Sequence, residues 1–333
     1  MRVLVTGGTS MLGRATVRLL LDRGDEVTVL QRGPSGLACR ELRGDIADSA
    51  VVDTAVAGQD AVLHLAAKVD VTGRWRDYAR ANIDGTDNVL AACRRRDVPR
   101  LVHVSSPSVA HAGSALVGVG AGTADPERAR GSYSRSKAVA ELHALAADSP
   151  TLAVLVVRPH LVWGPGDTQL VGRIVARARA GRLPIVGSGA ALIDTTYVDN
   201  AATALVAALD VCGPEHGEPV VVSNGEPRQV QEMLVGLCLA AGAAPPTRRV
   251  PVRVAWLAGA AAEAGWALAR RSDTPPLTRF LAEQLGTAHW FDQRRTRQLL
   301  RWRPEVGLDE GFARLARWYA AADASRTTGR SVP

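Results

Sequence analysis

Tyr133 and Lys137, in the stretch GSYSRSK, put a phenol and an ammonium four residues apart, which on a helix places both on one face. A phenol with a pKa of ~10 is a poor proton carrier at neutral pH, and a nearby cation favours the phenolate. The pair is therefore suited to passing a proton to or from a substrate oxygen. Taken alone, the spacing equally fits a surface lysine one turn from a half-buried tyrosine, so the rest of the chain decides.

A second stretch with chemical content is TGGTSMLG, Thr6 to Gly13, which follows an apolar run and opens a helical pattern. In that context Gly7 allows a tight turn and Gly13 allows helix and strand to pack closely. The helix amino terminus, with Met11 and Leu12, then holds a pyrophosphate. Ser10 stands where the form TGxxGxxG has its middle glycine, a small side chain expected to alter the phosphate approach slightly. At the end of the second apolar run, where an acidic residue would bind the ribose 2′-OH of NAD, the chain has Gln31 and Arg32. Without the carboxylate a 2′-phosphate is not repelled, and a guanidinium offers it a forked donor, so the expected cofactor is NADP(H). The alternative is a surface arginine with no ligand. Asp45 and Ile46 are expected to flank the adenine, and Ala66 and Ala67, after AVLHL, to let the cofactor lie against the backbone.

These groups need a scaffold that brings them together. Short β-branched runs (VLVT at 3–6, EVTVLQ at 26–31, AVLHL at 61–65, LVHVS at 101–105, AVLVV at 153–157) alternate with helical patterns at 14–23, 86–96 and 137–147. Runs this apolar, each followed by a helix, predict a parallel sheet covered on both faces, the doubly wound Rossmann α/β plan. Residues 1–160 are expected to form mainly the NADP(H)-binding domain. Residues 161–322 are expected to form a smaller, mostly helical substrate lobe whose strands, such as VVVS at 220–223, return to the sheet; 323–333 are expected to be a flexible tail. The Gly/Ala-rich stretch from Ala112 to Gly122 is expected to be a mobile lid or a passive surface loop.

The 333 residues are 47% apolar and 22% charged, an ordinary soluble composition. The net charge of +7 comes from scattered arginines with no alternation of basic and aromatic residues, so nucleic acid is not an expected partner. Cys39, Cys93, Cys212 and Cys238 are far apart, which implies neither a disulfide framework nor a metal site and fits a reducing cytoplasm. A first strand starting at Arg2 leaves no room for a cleavable signal peptide. The apolar segment from Val254 to Ala269 is shorter than the ~20 residues of a membrane span and carries Glu263, so a buried or interfacial helix is expected there.

With TGGTSMLG, GDI, HLAA, NIDGTDNVLAAC, VSSPSV, YSRSK, RPHLVWGPGD, TTYVDNAA and RWRPEVGLDEGF in this order, the chain resembles an extended short-chain dehydrogenase/reductase over nearly its whole length. The resemblance implies that Tyr133 is the general acid or base and that Lys137 lowers its pKa and holds the nicotinamide ribose. It implies that Ser106, three residues before Val109, hydrogen-bonds the reacting carbonyl, with Ser105 as the fallback. Asn82 matches the helix asparagine associated with a proton-relay water, and Arg158 and Pro159 would lie near the nicotinamide, Pro159 against the ring.

Within that family, SSPSVAHAG, RPHLVWGPGDTQLV, IDTTYVDNAA, SNGEP and LTRFLAEQLGTAHWFD at 277–292 are similar to bacterial 2-alkyl-3-oxoalkanoate reductases of long-chain olefin biosynthesis. This implies NADPH-dependent reduction of an apolar 3-keto acid, with a homodimer and an assembly with other hydrocarbon-pathway enzymes as expected partners. Trp256, Leu257, Trp266, Leu268, Phe280 and Leu281 are candidates to line an alkyl channel, with ordinary core contacts as the alternative. Lys68 and His160 are candidates to hold the substrate carboxylate. A 3β-hydroxysteroid or sterol-4-carboxylate dehydrogenase shares the same serine and YxxxK arrangement. A sugar-nucleotide epimerase would carry an acid at Gln31, and a non-catalytic NADP(H) sensor would not need Ser106, Tyr133 and Lys137.

Overall fold

The computed structural model describes residues 1–69, 73–110, 115–269 and 278–328. Strands β1 (Arg2–Thr6), β2 (Glu26–Gln31), β3 (Arg40–Arg43), β4 (Ala61–His64) and β5 (Arg100–Val104) alternate with α1 (Met11–Asp22), α2 (Ser49–Val56), α3 (Trp75–Tyr78) and α4 (Gly85–Arg95). Then follow β6 (Leu116–Val119), α5 (Gly131–Ala146), β7 (Ala153–Pro159), β8 (Val162–Trp163), α6 (Val171–Arg179), β9 (Ile185–Val186), β10 (Leu192–Ile193), β11 (Thr196–Tyr197), α7 (Val198–Val211) and β12 (Pro219–Val222). The chain ends with β13 (Arg228–Gln229), α8 (Val230–Ala240), β14 (Arg249–Val250), α9 (Val252–Leu268), α10 (Arg279–Gly286), β15 (His289–Phe291), α11 (Arg294–Leu300) and α12 (Leu308–Thr328).

Seven strands form one sheet in the order β12-β7-β5-β4-β1-β2-β3, every neighbouring pair parallel. This is the doubly wound Rossmann sheet, and strand order reverses at β1, which opens a crevice between the carboxyl ends of β1 and β4. Alternation along each strand feeds two cores. Val3 and Val5 pack with α1 and α7 on one face, through Val17, Leu20, Leu205 and Leu209. Leu4 and Val62 pack with α2 and α4 on the other, through Val52, Val56, Val89 and Cys93. Because both faces are covered, the strands read as continuous apolar runs, not as alternation.

A third core joins α6, α8 and α12 around Trp163 and Tyr197. Beside it lies a four-stranded sheet, β13-β10-β15-β6. Residues 116–119, expected to belong to a lid or a passive loop, are therefore a strand that pairs with His289–Phe291; Ala112 to Ser114 lie outside the described residues. The final helix runs on to Thr328, so residues 323–328 are helical where a tail was expected, and 329–333 lie outside the described residues. No helix among the described residues is long and apolar enough to cross a membrane. The four cysteines are free.

Candidate active site

The loop after β1 is shaped by close backbone approach. Gly7 has φ +76°, and a Cβ there would lie 2.9 Å from the Ala66 backbone; one on Gly13 would lie 2.4 Å from the Gly7 carbonyl. Any larger residue would force the loop off β4 or the helix off β1. Ser10 is the N-cap of α1: its hydroxyl accepts from Gly13 N at 3.0 Å and donates to the Gly7 carbonyl at 3.0 Å. A serine at the middle-glycine position is thus explained by capping. The first turn of α1, with Met11 and Leu12, contains no acidic residue, so the positive end of the helix is left for an anion. This glycine cradle and donor set fit a dinucleotide pyrophosphate.

Around the adenosine end, Gln31 is buried, its amide donating to the Gly33 carbonyl at 2.9 Å, while Arg32 is exposed. The Gln31 side-chain oxygen, Oε1, has no partner among the described residues. Asp45 accepts from Ala47 N and pairs with Arg80 at 3.0 Å. Ile46 is buried against Gly85, where a Cβ would meet its Cδ1 at 2.7 Å. Ala66 and Ala67 are half-buried at the end of β4.

At the other end, Tyr133 sits in the first turn of α5, half-buried, with Lys137 one turn further and buried. Burial pushes the Tyr133 phenol up from its ordinary value, and a hydrogen bond with the Ser106 side chain works the other way. The net rise keeps the phenol protonated at neutral pH, the form that can give a proton away. Lys137 is not among the groups that shift Tyr133; its ammonium donates to the Val104 carbonyl at 2.7 Å and lies 3.3 Å from His103 Nε2. Burial lowers Lys137 to about 8, with Glu141 raising it. Ser106 also contacts Ser108 Oγ at 3.0 Å, whereas the Ser105 hydroxyl is buried with no partner among the described residues. The bond to Tyr133 distinguishes Ser106 from Ser105.

Asn82 lies on a π-helical turn, Ala79–Asp84, that runs into α4. Its amide clamps Lys68, accepting from Lys68 N at 2.7 Å and donating to the Lys68 carbonyl at 3.1 Å, and also donates to Ser136 Oγ at 2.9 Å. Ser136 Oγ in turn donates to the Tyr133 carbonyl. The Asn82 carbonyl accepts from Thr86 Oγ1 at 2.7 Å, and Thr86 contacts His64 Nε2 at 3.0 Å. Since the Thr86 proton goes to Asn82, His64 carries its proton on Nε2 and accepts at Nδ1 from Thr6 Oγ1. This chain through His64 ties β1, β4 and α4 together; nothing in the motif HLAA alone reveals it.

The structure also places the other expected groups. The Arg158 guanidinium is fully buried, paired with Glu141 of α5 and donating to the Ala121 and Gly122 carbonyls. Pro159, which ends β7, remains half-buried beyond it. Leu257 and Leu268 are 62% and 89% exposed and Trp256 is exposed too. Trp266 and Leu281 are half-buried, and the Phe280 side chain lies outside the described residues. His160 is buried with Nε2 2.9 Å from His289 Nδ1, and His289 Nε2 contacts the Gln284 carbonyl at 2.8 Å. Since that carbonyl can only accept, His289 accepts at Nδ1 and His160 donates from Nε2. This commits one His160 nitrogen to the fold. Lys68 is half-buried, with its ammonium 5.3 Å from the Tyr78 ring centroid.

A model of the NAD dependent epimerase/dehydratase family matches residues 3–223. Over 324 residues the chain is 43% identical to a 2-alkyl-3-oxoalkanoate reductase of Stenotrophomonas maltophilia (strain K279a), covering 95% of this chain and 98% of the relative. A 3-beta-hydroxysteroid dehydrogenase of Mycolicibacterium neoaurum is similar at greater distance, 29% identical over 336 residues, covering 96% and 91%. Among solved structures, MoeE5 in complex with UDP-glucose and NAD shares the fold with a TM-score of 0.74 at 24% identity, over 97% of this chain and 99% of that one.

Proposed function

The chain belongs to the NAD-dependent epimerase/dehydratase family, among the extended short-chain dehydrogenases/reductases, and on that basis we propose that it reduces a 2-alkyl-3-oxoalkanoate to the 2-alkyl-3-hydroxyalkanoate with NADPH. As a member of that family it is an NAD(P)-dependent oxidoreductase. The observation that carries the substrate is the 43% identity to a 2-alkyl-3-oxoalkanoate reductase across 95% of the chain. The resemblance also carries a role in long-chain olefin biosynthesis, a homodimer and an assembly with enzymes of that pathway.

The nicotinamide, when bound, supplies the hydride. Tyr133, kept protonated by burial, gives its proton to the oxygen that develops charge at C3, and Ser106 donates a hydrogen bond to the same oxygen. Lys137 holds the nicotinamide ribose, the glycine loop and Ser10-capped helix hold the pyrophosphate, Asp45 and Ile46 flank the adenine, and Pro159 lies against the ring. Asn82 fixes the turn that carries Lys68 and, through Ser136, the backbone of Tyr133.

Of the 40 lysines and arginines only two, Lys68 and Lys137, are lysines. A compact ammonium differs chemically from a guanidinium fork, and both retained lysines border Asn82 or Tyr133. Lys68 is therefore the proposed partner of the substrate carboxylate. Lys68→Met should raise KM for a 3-keto acid about tenfold or more, the scale of a lost charged hydrogen bond, and leave KM for the matching neutral keto ester within a few-fold. An equal change for acid and ester would remove Lys68 from this role.

NADP(H) is the proposed form of the cofactor because Arg32 is exposed at the end of β2, where no carboxylate stands. Arg32→Glu should lower kcat/KM for NADPH by about ten- to a hundredfold, with NADH affected far less. The substrate class is tested by following NADPH oxidation with a 2-alkyl-3-oxo acid, a 3-ketosteroid and a UDP-sugar in parallel. Turnover is expected with the first, and turnover with the steroid alone would transfer the assignment to the steroid dehydrogenases.

A further inference from the structure

Lys137 is held between two acceptors on β5, the Val104 carbonyl at 2.7 Å and His103 Nε2 at 3.3 Å. An ammonium has donors only, so the imidazole accepts at Nε2 and carries its own proton on Nδ1. That Nδ1 is buried and has no hydrogen-bond partner among the described residues. An orphaned buried donor is unfavourable, and a valine or phenylalanine would fill a strand position without one. His64, the neighbouring imidazole at 5.4 Å between ring centroids, shows the contrast, because both of its nitrogens have partners within the fold. Among the described residues the His103 ring has one hydrogen-bond partner, Lys137.

We propose that His103 is a positioning residue for Lys137: its neutral Nε2 keeps the buried ammonium charged and fixed against β5, where it serves the cofactor. This rests on the reading of Lys137 as the residue that holds the nicotinamide ribose. With the Val104 carbonyl and His103 taking two of its three N–H groups, the ammonium cannot rotate freely, and one N–H remains for a ligand. Among the described residues, the titratable and charged groups around Lys137 are His103 on β5, His64 on β4, Tyr133 and Glu141 on α5, and Arg158 on β7, the last closed by Glu141. Both imidazoles are held neutral by burial, His64 at about 3 and His103 well below its ordinary value. Neither contributes a competing positive charge near neutral pH. The sign of the effect follows: an acceptor favours the charged amine, so removing it moves Lys137 further below about 8.

The two-lysine composition makes the test direct. Protein labelled with 13C at lysine Cε gives only the signals of Lys68 and Lys137, distinguished by Lys68→Arg, and the Cε shift is titrated against pH in the parent, His103→Phe and His103→Gln. In the parent Lys137 should titrate at about 8. In His103→Phe it should fall by about one pH unit, the scale of a hydrogen bond to a charged group. In His103→Gln, where Oε1 restores an acceptor, it should return to within about half of that shift. The basic limb of kcat/KM should move with it. His103→Met carries the same loss of acceptor and replaces Phe if that variant does not fold. An unmoved Lys137 in Phe or Met, or an equal shift in Gln, overturns the proposal. The titration needs no substrate, so a wrong substrate class would leave it intact, whereas a wrong role for His103 would leave turnover intact and the titration unmoved.

Discussion

Tyr133→Phe should lower kcat for carbonyl reduction by about 10²–10⁴-fold, the usual contribution of a positioned proton donor, while NADPH affinity stays within a few-fold. The phenyl ring keeps the packing of the first turn of α5, so what is lost is one hydroxyl and its bond with Ser106. The Gly7 turn at φ +76° and the Ser10 cap, proposed to hold the cofactor, belong to β1 and α1 and are untouched. Steady-state kinetics beside fluorescence titration of NADPH separates the two effects. Parent-like turnover in the variant would remove Tyr133 from the chemistry, and loss of NADPH binding would recast it as a structural residue.

The second large effect is on stability. Glu141 and Arg158 are both fully buried, with Arg158 Nε donating to Glu141 at 2.9 Å and the guanidinium reaching on to the Gly122 carbonyl at 3.3 Å. The pair fastens α5 to β7 and to the segment after β6. Glu141→Ala leaves a guanidinium buried without its counter-charge, which should destabilise the fold by about 3–5 kcal/mol in denaturant unfolding. Replacing both residues by apolar ones of similar volume, Glu141→Leu with Arg158→Met, should recover much of that loss, because desolvation of the pair disappears with it. If the single variant unfolds with the parent midpoint, the ion pair is not what fastens α5.

Why some of this was legible in the sequence and some was not follows from the range of the interactions. The strands at 26–31 and 153–157 were visible because both faces of the sheet are covered, so an uninterrupted β-branched run is the direct imprint of burial. The glycine loop was visible because Gly7 and Gly13 answer to contacts within a few residues, together with one close approach to Ala66. Tyr133 and Lys137 needed only helical periodicity. The buried pair of Arg158 has no signature in the sequence because its partner, Glu141, lies on a different element, and no local pattern marks such a pair. For the same reason His103 looked like one more residue in LVHVS; its contact with Lys137 crosses from β5 to α5. The strand at 116–119 was hidden by glycine and alanine, poor strand formers, and exists through pairing with 289–291, more than 150 residues away. Apolar composition at 254–269 fits a buried or an interfacial helix alike; Leu257 and Leu268 are exposed, and composition does not say which face of a helix has a neighbour.

Transfer of hydride from NADPH to C3 of a 2-alkyl-3-oxo acid, with Tyr133 supplying the proton, is tested most directly by isotope transfer. NADPH deuterated at the transferring position of the nicotinamide is incubated with the enzyme and the keto acid, and the product is analysed by mass spectrometry and NMR. The expected product is a 2-alkyl-3-hydroxy acid carrying one deuterium at C3, formed by the parent and not by Tyr133→Phe. An unlabelled product, deuterium at another carbon, or the same yield from the Phe variant would contradict it.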